Sequence, residues 1–137
     1  MDMTGAIKAL QDFSYTCILY KGDAVFYSKA RGVKPLLQFL DSSTDFRNFS
    51  AVDKVVGRAT AFLYLALGVK CLHAMVLSAP AAEVLEAGGI AYSCDQLVAG
   101  IRNRENTGPC PMEAATAMCR TPEEAIVAIR AKLKELS

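Results

Sequence analysis

Apolar residues along this chain recur with a helical period in some stretches and an extended period in others. Residues 2–13 space Ile7, Leu10 and Phe13 along one side of a short amphipathic helix. Two β-rich runs follow, Tyr15–Tyr20 and Ala24–Ser28, separated by Lys21-Gly22-Asp23. Gly-Asp between such runs signals a tight antiparallel hairpin. Val33-Lys34-Pro35 then opens a short helix containing Leu36, Leu37 and Leu40, because proline is tolerated in a first helical turn. The polar segment Asp41–Phe49 reads as a loop. A long helix is expected next, with Ser50 as its N-cap and Asp53 three residues on, where a capping box usually carries Glu. Its apolar face would hold Val52, Val55, Val56, Ala59, Phe62, Leu63 and Leu67, and Gly68 would end it.

Lys70–Leu77 reads as a strand apolar on both faces. Cys71, Met75 and Leu77 would lie on one face, and Leu72, Ala74 and Val76 on the other. Such strands suit parallel sheets covered by helices. Ser78 caps a further helix with Pro80 in its first turn and Gly88-Gly89 after its end, and Ile90–Cys94 is another short strand. Helix and strand alternating in this way imply parallel neighbours. Asp95–Ile101 reads as a helical turn and Arg102–Gly108 as a polar loop. Cys110-Pro111-Met112-Glu113 opens a helix to about Cys119. Thr121-Pro122-Glu123-Glu124 starts the last one, with Ile126, Val127, Ile129 and Leu133 inward.

Composition narrows the class. The 137 residues suffice for one domain with one core, and 53% are apolar against 21% charged. That apolar excess points to a sheet buried on both faces or to a homo-oligomer interface. The net charge is +1 with no basic stripe, which argues against nucleic acid. Ala59–Val69 is the longest apolar stretch, too short to span a bilayer. The first residues, with Asp2, lack the apolar segment of a secretory leader, so a cytoplasmic protein is expected. The five cysteines have no C-x-x-C spacing, and reduced thiols fit better than disulfides.

Three strings carry a resemblance: ARGVKPLL (Ala30–Leu37), VDKVVGRATA (Val52–Ala61) and RNRENTGPCPMEAA (Arg102–Ala115). Together with the element order, they resemble an uncharacterised prokaryotic family of the cytidine-deaminase-like fold. The resemblance implies a single α/β domain over 1–137. It would be a three-layer α/β/α sandwich whose mixed sheet opens with an antiparallel hairpin. It implies no settled activity. Zinc deaminases of that fold use His-x-Glu at one helix start and Pro-Cys-x-x-Cys at the next, where His and two thiolates hold the metal and Glu moves the proton. Aligned by elements, those motifs fall near Ala51–Val55 and Ser78–Ala82, where this chain has no His and no Cys. No metal and no cofactor is therefore expected. Pro109-Cys110-Pro111-Met112 lacks the second Cys and lies in a later element.

The remaining candidates concern a ligand. Asp53, Lys54 and Arg58, near a helix start that faces the pocket in such folds, would bind an anion, plausibly a nucleotide-like molecule. The competing reading is a cap beside solvated charges. Ser78 would present a hydroxyl at the next helix start, or merely cap it. Asn103, Arg104, Asn106, Thr107 and Gly108 form a polar loop that could aim side chains at a ligand or simply turn in solvent. Lys34 and Glu113 complete the ligand set. Cys110, at a helix start, is a candidate nucleophile for a transfer reaction, against a plain buried thiol. His73, the lone histidine, reads as a satisfied core residue. Three functions follow: a small-molecule binder, a cysteine-dependent transferase, or a structural subunit.

Overall fold

A computed structural model describes every residue except Arg104. Helix α1 (Met3–Asp12) is capped by the Asp2 side chain, which accepts from Gly5 N–H. Strands β1 (Cys17–Lys21) and β2 (Ala24–Ser28) form the expected hairpin, and Gly22 takes φ +59° in its two-residue turn. Glycine is needed there because L side chains resist positive φ. Helix α2 (Lys34–Asp41) carries Pro35 in its first turn.

The segment from Ser50 to Leu67 is not one helix. Ser50–Val56 is strand β3, and only Arg58–Leu67 forms helix α3, with Gly57 at its N-cap. Ser50 caps nothing; its hydroxyl accepts from the Cys71 thiol at 3.1 Å. The valines of this stretch match a helical period by coincidence. Being β-branched, they suit a pleated strand better, and β3 lies mid-sheet with burial on both faces. Strand β4 (Cys71–Ser78), helix α4 (Ala79–Ala87), strand β5 (Ala91–Val98), helix α5 (Pro111–Thr116) and helix α6 (Pro122–Leu136) follow. Strand β5 therefore takes in Asp95–Val98, where a helical turn was expected.

The sheet runs β2-β1-β3-β4-β5. Pairing is antiparallel across β2, β1 and β3 and parallel across β3, β4 and β5. This is a mixed α/β sheet between two helical layers. Ala6 and Leu10 of α1 pack on Ile18, Tyr20 and Val52 on one face. The larger core on the other face joins Leu19, Ala51, Val56, Leu72, Ala74 and Leu77 to residues of α2, α3, α4 and α6, with Met112 of α5 packed against it. Leu77 thus sits with Leu72 and Ala74 rather than opposite them, because alternation skips a position late in the strand. Phe13 and Val127, expected inward, are exposed. Their helices are anchored by Ala6 with Leu10, and by Ala125 with Ile129.

Candidate functional site

Strand β3 ends, and α3 begins, beside a pocket of about 630 Å³. Its floor is buried: Cys17, Val33, Leu36, Asp53, Gly57 and Ala59. Its rim is exposed and carries Arg31, Lys54, Arg102 and Glu105. One wall comes from Ile101, Asn103, Cys110, Met112 and Glu113, on the segment that follows β5.

Asp53 is a strand residue, not a helix cap. It lies opposite Cys17 on β1. Its Oδ2 accepts from the Tyr64 hydroxyl at 2.5 Å and its Oδ1 from Val55 N–H at 3.2 Å. Burial disfavours the carboxylate more than these bonds favour it, pushing its pKa up to about 7. The same burial, with Asp53 adjacent, raises the Cys17 thiol and the Tyr64 phenol.

The starts of α3 and α4, near the positions expected to bind an anionic ligand, are already bonded to the protein's own Glu113. Glu113 Oε1 accepts from Arg58 N–H at 2.8 Å, at the start of α3. It also accepts from the Ser78 hydroxyl at 2.9 Å, at the start of α4. Ser78 Oγ in turn accepts from Ala81 N–H, the expected N-cap bond. The carboxylate fits because Gly57 has no side chain: a Cβ there would lie 2.5 Å from Oε1. A negative charge is favourable at a helix N-terminus, which accounts for the placement.

Arg58 points away from the pocket. Its guanidinium donates to the carbonyls of Thr116 and Cys119 and lies over the Phe62 ring, so it fastens α5 and the residues after it to α3. Of the residues singled out from sequence, Asp53, Lys54, Asn103, Cys110 and Glu113 come together around the pocket. Arg58 and Ser78 stand behind Glu113. Lys34 and Thr107 do not line the pocket; the Thr107 N–H and hydroxyl bond to Asn103 within the loop. Arg104 lies outside the described residues. Cys110 precedes α5 with no side-chain cap bond. His73 is buried, its nitrogens 2.7 Å from Ser93 Oγ and 3.0 Å from Asp95 Oδ1. Arg31, Thr16 and Cys17 were missed as pocket residues. Only Arg31, inside the string ARGVKPLL, left a sequence signal, a cation beside glycine.

The helix starts that would carry zinc ligands are Gly57-Arg58-Ala59-Thr60 and Ser78-Ala79-Pro80-Ala81. Neither supplies an imidazole or a thiolate, so the residues present do not fit a tetrahedral zinc site. Among the described residues no three His, Cys, Asp or Glu are grouped to hold a metal ion. Nor, among them, is any helix long and apolar enough to cross a membrane.

Sheet order and helix layers make this a mixed α/β protein of distantly deaminase-like fold, without the zinc ligands. The chain belongs to the TM1506 family, a domain of unknown function (DUF1893), whose model matches residues 5–133. The crystal structure of a DUF1893 family protein (TM1506) from Thermotoga maritima is similar, with a TM-score of 0.87 at 27% identity. The match covers 95% of this chain and 88% of that one. The apo dCMP deaminase of cyanophage S-TIM5 shares the fold at a TM-score of 0.51 and 11% identity. That match covers 72% of this chain and all of the deaminase. No curated protein matches the sequence significantly.

Proposed function

We propose that this protein binds an anionic, nucleotide-like small molecule in the pocket beside β3 and α3, without a metal. The observation that carries this reading is the gradient from a buried, largely apolar floor to a rim where Arg31, Lys54 and Arg102 outnumber the one carboxylate, Glu105. A volume of about 630 Å³ suits a molecule of nucleotide size. Its charged group belongs at that rim, since Glu113 already accepts from Arg58 N–H at the start of α3 and from the Ser78 hydroxyl that caps α4. Its body would rest on Val33, Leu36 and Ala59, with Asn103 and Asp53 in reach for polar contacts. Likeness to a dCMP deaminase fold is consistent with a nucleotide but does not specify one.

Calorimetry with the four ribonucleoside monophosphates tests this. At least one should bind, more tightly at low salt, and Lys54→Ala or Arg31→Ala should weaken it roughly tenfold. If none binds, and inorganic phosphate does not either, the reading fails. The transferase alternative rests on Cys110 in the pocket wall. Among the described residues no side chain hydrogen-bonds its sulfur, so no base is in place to activate it. Cys110→Ser should leave ligand affinity within about twofold, a change worth under half a kcal/mol.

A further inference from the structure

Among the described residues, strand β2 is an edge of the sheet, paired only with β1. Unprotected edges offer unpaired N–H and C=O groups to another strand. The turn fixes which ones. Lys21 and Ala24 close a two-residue turn, and in such hairpins the closing residues exchange both hydrogen bonds. Ladder bonds then alternate, so Ala24, Phe26 and Ser28 face β1, while Val25 and Tyr27 direct their N–H and C=O groups outward.

The side chains on this edge are self-complementary. Val25 and Tyr27 lie opposite Tyr20 and Ile18, which pack against α1, so both belong to the α1 face. Both are exposed there, at 37% and 57%. The strand reads Asp23-Ala24-Val25-Phe26-Tyr27-Ser28-Lys29, acidic at one end and basic at the other. If two copies meet antiparallel about Phe26, Asp23 of one stands opposite Lys29 of the other, and Val25 opposite Tyr27. Those are the residues whose backbone groups point outward, so register, charge and apolar contact agree on one alignment. Lys29 already lies at that end, its ammonium 5.7 Å from the Tyr15 ring, which stacks on Tyr27.

We infer that the β2 edge is a homodimer interface, joining two copies by antiparallel β2–β2 pairing into one ten-stranded sheet. The interface is isologous, as two-fold symmetry requires. A short edge pairing buries modest area, so association should appear at concentrations of about 100 µM.

Sedimentation equilibrium of the full chain tests the inference. The expected species has twice the 14.7 kDa chain mass. Asp23→Lys and Lys29→Asp should each weaken the dimer roughly tenfold by setting like charges opposite each other, and the double reversal should restore it. Val25→Pro removes an outward N–H without touching the β1 ladder, so it should give a monomer with an unchanged circular dichroism spectrum. A wild type that stays monomeric at that concentration overturns the inference. So does a dimer indifferent to Val25→Pro, or single reversals that the double reversal does not rescue.

Discussion

Glu113 is the residue on which the site turns. One carboxylate oxygen serves two helix starts, and without it Arg58 N–H and the Ser78 hydroxyl lose their partner. Glu113→Ala should cost about 1–3 kcal/mol, the usual penalty for leaving such groups unpaired. Because the deletion leaves a carboxylate-sized gap at two helix starts, acetate should restore part of the lost melting temperature in the variant and none in the wild type. Equal acetate effects on both proteins would refute the capping role. Asp53 makes a pH prediction of definite sign. Its folded pKa, about 7, exceeds the ordinary carboxyl value of 3.8, so the native state holds the proton more tightly than the unfolded chain. Its contribution is therefore fully present below about pH 4 and is lost as pH rises through 7, by an amount on the order of a few kcal/mol. Asp53→Asn should flatten that part of the stability profile, measured by denaturant unfolding between pH 4 and 8. A variant with the wild-type slope would show that another group carries it.

At the level of elements, β3 and α3 teach the most. Sequence periodicity merges them because Val52, Val55, Val56, Ala59 and Phe62 satisfy a helical spacing whether or not the first three are helical. The physical separator is Gly57, an extended N-cap between strand and helix that leaves room for a carboxylate from α5, some fifty residues on. Gly57→Ala should cost about 1–3 kcal/mol through overpacking against Glu113 and Ile101. In a double-mutant cycle with Glu113→Ala the two losses should be less than additive, since removing the carboxylate vacates the space the methyl needs. Additive losses would mean that Ile101, 3.1 Å from the same position, is the true obstacle. The hairpin, α2, α4 and α6 were legible because their signals are local: a Gly-Asp turn, prolines in first turns, and the Ser78 and Thr121 caps. Strand β5 was cut short because an edge strand with exposed Asp95 and Gln96 lacks an apolar run.

For the whole molecule, the two hydrophobic clusters lie back to back on one sheet and share β1 and β3. They should unfold together. Leu10→Ala beneath α1 and Leu63→Ala within α3 should each cost about 2–5 kcal/mol and move one common transition, followed by circular dichroism and tyrosine fluorescence. Two separated transitions would show that the α1 face is an independent unit. The sequence by itself determined the opening hairpin, the strand–helix–strand order from Cys71 to Cys94, the free thiols and the lack of zinc ligands. It also placed Asp53, Lys54, Asn103, Cys110 and Glu113 among the candidates. Those are matters of local geometry and residue chemistry. Only the tertiary structure decided that Asp53 is a buried strand carboxyl, that Arg58 is a fastener, and that Glu113 bonds to Arg58 N–H and to the Ser78 hydroxyl at two helix starts. Each depends on residues far apart in the chain being brought within hydrogen-bond distance, and no periodicity along one segment encodes which distant segment arrives.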